Sequence, residues 1–252
     1  MSMQRPPLED RIYHVHTTRC GHATEETDEE YIEAAIALGA KELSFSEHMP
    51  VPGDPFNYQM PMSRLPEYVA TLKRLKAEYA DRITIRVGME CEYLPSLDGY
   101  IRSLLTDYGM EFLILGQHLY EHADGTTNFR DDEETRERFD VTGLAEGMIA
   151  GIKTGLFETV AHPDRIFRRR RSWGEEEAAI AKRIIEAAMA QKIPLEINME
   201  SRNYPEYHFY WPEFWKLVPP ECEIVYGVDA HAVKEMVDNT IMIRKILNGE
   251  IE

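Results

Sequence analysis

Arg11-Ile12-Tyr13-His14-Val15-His16 is a short run of strand-forming residues that carries two histidines one residue apart. Residues two apart on a strand project to the same face, so the pair predicts two imidazoles side by side. Asp28 is expected to cap the helix that follows, which runs to Gly39 with Tyr31, Ala35 and Leu38 on one face. This strand-then-helix unit recurs along the chain. Strand patterns return at 43–46, 83–90, 112–116, 158–161, 194–198 and 223–228. Helical patterns cover about 63–79, 97–107, 140–154, 175–190 and 233–247, with a short helix at 212–218. Residues 49–62 read as a loop, and a long acidic loop is expected between the fourth strand and the helix at 140. Seven strands alternating with helices predict an α/β fold with a parallel sheet and right-handed crossovers. One closed barrel over residues 1–252 is expected, with an open doubly wound sheet as the alternative.

The length of 252 residues suits one such barrel, because α/β barrels of about 200–250 residues commonly form one unit. Hydrophobic residues make up 43% and charged residues 29%, an ordinary globular composition. The 28 basic and 45 acidic residues give a formal charge of −17. That charge argues against a nucleic-acid surface, where affinity comes from neutralising phosphates, and against docking on anionic lipid. No stretch approaches the roughly 18 apolar residues of a membrane span. The N-terminal residues lack the apolar run of a signal peptide. Cys20, Cys91 and Cys222 are odd in number and far apart, so a disulfide framework is not expected. A reducing cytoplasm is the expected location. Neither a Gly-x-Gly-x-x-Gly dinucleotide loop nor a phosphate loop ending in Gly-Lys-Ser/Thr is present.

The histidines carry the chemistry. One histidine alone is most often a surface or hydrogen-bonded core residue; here the placement decides. His48, Glu90, His118 and His162 each follow a different strand, His22 lies in the loop after the first strand, and Asp229-x-His231 repeats the His14-x-His16 spacing after the last. Six of the seven strands thus deliver a metal-type ligand at their C-terminal ends, the end where barrel active sites sit. Burying these imidazoles and carboxylates together is costly without a cation. The donors are all nitrogen or oxygen, which suits zinc, manganese or iron better than calcium. Nine ligands exceed what one ion takes, so two or three divalent ions are expected, with Glu90 able to bridge.

In this order, His14-x-His16, His22, His48, Gly88-Met89-Glu90, His118, His162-Pro163-Asp164 and Asp229-x-His231 resemble the PHP (polymerase and histidinol phosphatase) family. The resemblance runs over about residues 12–235, with all nine ligand positions filled. It implies a distorted (β/α)7 TIM-like barrel, a single PHP-type domain and a trinuclear metal centre. By resemblance, His14, His16, Glu90 and Asp229 hold one ion, Glu90, His118 and His162 a second, and His22, His48 and His231 a third. The segment 155–164 and Glu196-Ile197-Asn198 are similar to the histidinol-phosphatase branch. That branch often continues with a small residue and Gly-Leu-Arg, where this chain has Met199-Glu200-Ser201-Arg202.

The expected activity is that of a phosphomonoesterase, with L-histidinol phosphate as the leading substrate by resemblance and histidine biosynthesis as its setting. Another small phosphate ester, such as a nucleotide or sugar phosphate, is the alternative. Metal ions polarise a phosphoryl oxygen and generate hydroxide near neutral pH, so a metal-bridging hydroxide held by Glu90, Asp229 and His231 is expected to attack phosphorus. A proofreading nuclease is disfavoured by the charge, and a non-enzymatic module by the complete ligand set. Arginine forks match phosphate oxygens, and Arg165-Ile166-Phe167-Arg168-Arg169-Arg170-Arg171 stands out in an acidic chain. One or two of its five arginines are expected to face the site, Arg165 or Arg168 first, with Arg202 as a further candidate. The others are expected to form a solvated loop. His122 is expected in solvent, and His208 in an aromatic packing cluster with Tyr204, Tyr207, Tyr210 and Trp211. Glu47, Glu92 and Asp164 either orient ligands or pair locally; Cys20 and Cys91 read as small packing residues. No assembly motif is visible.

Overall fold

The structure, a computed structural model, describes residues 5–55, 58–122, 125–129 and 140–251. In chain order the principal elements are β1 (Arg11–Val15), α1 (Asp28–Ala37), β2 (Glu42–His48), α2 (Leu65–Glu78), β3 (Thr84–Cys91), α3 (Asp98–Thr106) and β4 (Phe112–Leu115). A hairpin of β5 (Leu119–Glu121) and β6 (Thr127–Phe129) follows, then α4 (Val141–Lys153), β7 (Thr159–Val160), α5 (Glu175–Gln191), β8 (Leu195–Asn198), α6 (Met199–Asn203), α7 (Pro212–Trp215), β9 (Ile224–Gly227) and α8 (Val233–Leu247). Seven strands form one sheet in the order β1-β2-β3-β4-β7-β8-β9. The β1/β2, β4/β7 and β7/β8 pairs are parallel. Past β9, Val228 donates to Tyr13 O (2.8 Å) and His16 donates to Ala230 O (3.0 Å), so β1 also has a partner on its other side. This is the strand order of a distorted (β/α)7 barrel. Strands covered on both faces read as near-continuous apolar runs, as in Phe112-Leu113-Ile114-Leu115, all buried.

Contacts group the chain into two compact units. The first comprises Met1–Met89, Met110–Phe112 and Tyr226–Glu252; the second comprises Glu90–Gly109 and Leu113–Val225. In the first unit, α1 opens with a capping box in which the Thr27 hydroxyl accepts from Glu30 N and the Glu30 carboxylate accepts from Thr27 N (2.7 Å). Such caps contribute about 1 kcal/mol. The expected cap, Asp28, is instead the first helical residue, and its carboxylate takes both Arg19 Nη atoms at 2.8 Å. Tyr31, Ile32 and Ala35 form the buried face, and Tyr31 meets Phe45 of β2 edge-on. On α2, Leu65, Tyr68, Leu72 and Leu75 are buried, and the Tyr68 hydroxyl donates to Gly88 O of β3 (2.9 Å). Fully burying each leucine is worth about 1.5–3 kcal/mol. Asn239 of α8 donates to Val228 O (2.8 Å), which fixes the segment leading to Asp229 and His231.

In the second unit, α4 and α5 pack against each other; Leu144, Ala145, Met148 and Ile152 of α4 and Ile180, Ala181, Ile184 and Ala188 of α5 are buried. Gly151 permits the close approach of α4 to β4, since a Cβ there would lie 2.9 Å from Leu115 and Tyr93 side-chain atoms. Two elements depart from the sequence expectation. The start of the expected acidic loop is the β5/β6 hairpin, in register Leu119↔Phe129 and Glu121↔Thr127. Its strands are three residues long, too short to show an alternation, and it turns through Gly125 at φ +81°. The rest of that loop, 130–139, lies outside the described residues. The other departure is α6, a five-residue helix directly after β8, capped by Asn198, whose Oδ1 accepts from Ser201 N (2.9 Å).

Candidate active site

The first unit gathers six of the nine expected ligands. His14 and His16 are fully buried, with ring centroids 5.1 Å apart. Simple alternation is not what places them. The pairing jumps from Tyr13↔Ser44 to Val15↔Phe45, so His14 is an extra residue at a bulge, with φ +70°. Bulges re-aim side chains beside active sites. Asp229, at φ +46°, brings Oδ1 to 3.5 Å from His14 Nε2 and 3.2 Å from His16 Nε2. Left-handed backbone at such residues costs about 1–3 kcal/mol and is typical of functional positions. The His231 ring stacks on His16 at 4.2 Å, and the His48 ring lies 4.2 Å from His16 at a tilt, centroid to centroid. His22, exposed at the rim, is 4.5 Å from His231 and 5.3 Å from His48.

Glu47 organises this cluster from behind. Its carboxylate approaches His16 Nδ1 (3.4 Å) and accepts from Thr17 N (3.0 Å), the Thr17 hydroxyl and His48 N (2.8 Å). Burial works to raise the Glu47 carboxyl; the contacts with His16, His48 and Thr17 outweigh it and hold it below the usual carboxylate range. A carboxylate on the far nitrogen fixes an imidazole's orientation and directs the other nitrogen inward. Partial withdrawal of its ring from water, then the nearby His48 and His16, pushes His22 down to about 4. Burial and His16 likewise push His231 well below its usual value. Neutral imidazoles offer the lone pair that a metal ion requires. His231 Nε2 is buried with no hydrogen-bond partner. Donor atoms of His14, His16 and Asp229 lie within 4.8 Å of one another, as do those of His16, His48 and His231. This set fits a divalent cation. Cys20 is buried with its thiol on Thr17 O (3.3 Å), and burial pushes that thiol up, in keeping with a packing role.

The second unit holds Glu90 at the end of β3, His118 after β4 and His162 after β7. His162 Nε2 lies 2.8 Å from Glu90 Oε1, His118 Nε2 lies 3.9 Å from it, and the two rings are 5.0 Å apart. Glu92 plays the part that Glu47 plays in the first unit. It accepts from His118 N (2.5 Å) and Leu119 N (3.0 Å) and meets His118 Nδ1 at 2.7 Å, leaving Nε2 turned toward Glu90. Gly116 is obligatory, since a Cβ there would lie 1.9 Å from Glu90 Oε1. Burial pushes His162 down to about 3, and the Arg165 charge adds to this, against the opposing effect of Glu90. His162 itself sits at φ +33°. Two imidazoles around one buried carboxylate again suit a divalent cation.

Of the basic stretch, Arg165 is the buried member. Its Nε and Nη2 donate to Ser201 Oγ (3.2 and 2.9 Å), and Nη2 also reaches Asn198 Oδ1 (3.2 Å) and the Glu200 carboxylate. The guanidinium lies over Phe209 at 4.9 Å, and Arg168 over the same ring at 5.0 Å. Arg202 lies over Tyr210 at 5.4 Å. Arg170 pairs with Glu176 and Glu177, and Arg171 is exposed, as a solvated loop requires. Asp164 pairs locally. Its Oδ2 accepts from Trp211 N and Trp215 Nε1 (both 2.9 Å), and burial pushes the carboxyl up to about 7. His122 is half-buried rather than solvated, because the Tyr120 ring covers one side at 4.8 Å. His208 is exposed at φ +53°, 6.0 Å from the buried Trp211; Tyr204 and Tyr207 meet at a tilt at the surface. Sequence reasoning missed Glu200 as a partner of Arg165. Its signal was the polar segment directly after β8.

The model of the PHP domain family matches residues 13–200. A Deinococcus radiodurans protein named "Probable histidinol-phosphatase" is 28% identical over 88% of this chain and 86% of its own length. A Bacillus subtilis histidinol-phosphatase is 25% identical over 65% of each chain. A solved histidinol phosphate phosphatase from Lactococcus lactis, complexed with zinc, L-histidinol and phosphate, superposes with a TM-score of 0.67. That likeness covers 95% of this chain and 94% of the other at 21% identity, and it bears on the fold. The chain belongs to the PHP domain family, on its histidinol-phosphatase-like branch.

Proposed function

We propose that the protein is a metal-dependent phosphomonoesterase that hydrolyses L-histidinol phosphate to L-histidinol and inorganic phosphate. The observation that carries this reading lies in the second unit, where the buried Arg165 stands one turn after His162, its N donating to His162 O (2.9 Å), beside the Glu90–His118–His162 donor set. A fixed cation beside metal-type ligands suits a phosphate ester. The names of the relatives supply the substrate. Two or three divalent ions, zinc, manganese or iron, are proposed on His14, His16, His22, His48, Glu90, His118, His162, Asp229 and His231. When bound, such ions polarise a phosphoryl oxygen and lower the pKa of water.

The chain's own residues have separable tasks in this proposal. Glu47 and Glu92 hold His16 and His118 with one nitrogen turned inward. Glu90, Asp229 and His231 form the catalytic set that fixes the reacting centre. Arg165, with Arg168 and Arg202, binds and orients the phosphoryl group. The whole chain serves as one PHP-type domain in this reading. A cytoplasmic location is supported by the three cysteines, all free thiols; among the described residues no helix is long and apolar enough to cross a membrane. The net charge of −17 favours a small-molecule partner over nucleic acid or lipid.

The test is inorganic phosphate release from L-histidinol phosphate by the zinc- or manganese-loaded protein. A kcat/KM of about 10⁴ M⁻¹s⁻¹ or more is expected. A value several orders of magnitude lower rejects this substrate.

A further inference from the structure

His22 has the least backbone support of the nine expected ligands. The other eight lie on a strand or within four residues of its end, while His22 lies seven residues past β1. Its loop is tied at both ends. Thr17 donates through N (3.0 Å) and its hydroxyl to the Glu47 carboxylate, and Thr24 donates through N (2.8 Å) and its hydroxyl (3.0 Å) to His231 O. Between these ties the backbone makes two long turn bonds, Cys20 N to Thr17 O (3.4 Å) and Gly21 N to Thr18 O (3.3 Å), and Gly21 turns at φ +80°. The His22 ring rests on this turn, with Nδ1 3.3 Å from Cys20 O. Whatever fixes the turn therefore also fixes where His22 stands relative to His231 and His48.

Arg19, in the middle of the turn, supplies that fixation. Its side chain is buried, and four of its five N–H donors are used. Nη1 and Nη2 fork onto the Asp28 carboxylate at 2.8 Å each, and Nε and Nη2 fork onto Glu67 at 3.0 and 2.8 Å. The guanidinium lies over the Tyr68 ring at 5.5 Å, and the Tyr68 hydroxyl is itself held on Gly88 O. Charge-assisted forks set orientation as well as distance, so the turn is locked onto the first turn of α1 and onto α2. Asp28 is buried and Glu67 is nearly half exposed, which makes the Asp28 fork the shielded one. The partners of Arg19 are these two carboxylates and not the metal-type ligands, so its effect on His22 passes through the backbone of the turn.

We infer that Arg19 is a positioning residue for His22, which builds the ion site of His22, His48 and His231 by locking the Thr18–Cys20 turn against α1 and α2. This rests on the proposed ligand set and names what brings its one loop-borne member into place. Ligands on or near strands do not depend on that lock, so its loss costs one ion and spares the others.

The experiment is a calorimetric zinc titration of the metal-stripped wild type, Arg19→Lys, His22→Ala and the double variant. Lysine keeps the charge and loses both forks. Arg19→Lys is expected to bind one ion about 10–100-fold more weakly and the others at wild-type affinity. His22→Ala is expected to lose that same ion, and adding Arg19→Lys to it is expected to change nothing further. Asp28→Asn, which leaves Arg19 in place, is expected to show the same loss in smaller measure, and it decides the matter if Arg19→Lys does not fold. Unchanged binding overturns the inference. So do equal weakening of every ion and a further loss in the double variant, since either makes Arg19 a general structural ion pair. Amide exchange separates the positioning role from the ligand reading. In metal-free Arg19→Lys, residues 20–24 are expected to exchange faster than in the wild type, with β1 and β2 unchanged. If His22→Ala lost no ion, the assignment of His22 as a ligand would fall; faster exchange at 20–24 would still uphold the positioning of His22, and unchanged exchange would overturn it.

Discussion

The imidazole cluster of the first unit and the Glu90–His118–His162 cluster of the second use the same residue types to different ends. In the first, His16 has His48 and His231 rings at 4.2 Å and, on Nε2, the Asp229 carboxylate at 3.2 Å. Burial and the neighbouring imidazoles hold His231 and His22 below their usual values, which suits this cluster to collecting cations. In the second, two imidazoles flank one carboxylate, and the positive charge of Arg165 is felt at His162. A site of that kind suits a cation and an anionic ligand together. Each cluster has one buried carboxylate behind a histidine, Glu47 or Glu92, and the shared device makes the remaining difference informative.

Changes that break the comparison come first. Glu90→Gln is expected to lose metal and nearly all activity, well beyond the roughly 10–100-fold cost of removing a supporting residue. Elemental analysis and turnover check it together, and a Glu90→Gln protein with full metal content and normal kcat would sink the ligand assignment. Glu47→Gln and Glu92→Gln are each expected to weaken metal affinity about 10–100-fold, measured by competition with a chelator. No change in either would show that the histidines need no such support. Arg165→Lys sharpens the contrast. It replaces a fork with a point charge, so KM for the ester should rise about tenfold while the metal content stays at the wild-type level. Loss of metal in that variant would merge the roles of the two clusters.

The smallest effect lies away from both clusters. Arg19 is buried and pairs with Asp28 and Glu67, and its hydrogen bond holds the Glu67 carboxyl down at about 2. A carboxyl lowered on folding stabilises above its unfolded value, near 4.5, and that contribution fades as pH falls toward 2. Glu67 is nearly half exposed, so the effect is modest. Denaturant unfolding of Glu67→Gln from pH 7 to 3 should show less loss on acidification than the wild type. Identical pH profiles would remove Glu67 from the account.

The sequence carried the fold because the strands are runs of apolar or β-branched residues, six of the seven followed by a candidate metal ligand. Phe112–Leu115 before His118 is a clear instance. The nine candidate ligands were legible by type and order. Their geometry was not, since the bulge at His14 and the positive φ of Asp229 and His162 arise from pairing that no local pattern encodes. The supporting roles of Glu47 and Glu92 were undecided for the same reason: a buried carboxylate beside a ligand reads like any strand-end acid until its partners are known. The β5/β6 hairpin was hidden by strands of three residues, and α6 by its five-residue length. The arginine run in an acidic chain pointed to a candidate phosphate-binding residue without saying which. Burial alone picked out Arg165, and only its contacts exposed Glu200.

The central claim is that these residues hold divalent ions and that the ions enable phosphate ester hydrolysis. Its most direct test is a titration of the metal-stripped protein with zinc or manganese, following phosphate release from L-histidinol phosphate and ions bound per chain. No turnover in the stripped protein, and activity that rises until more than one ion is bound per chain, is the expected result. Full activity without metal, or saturation below one ion per chain, would contradict it.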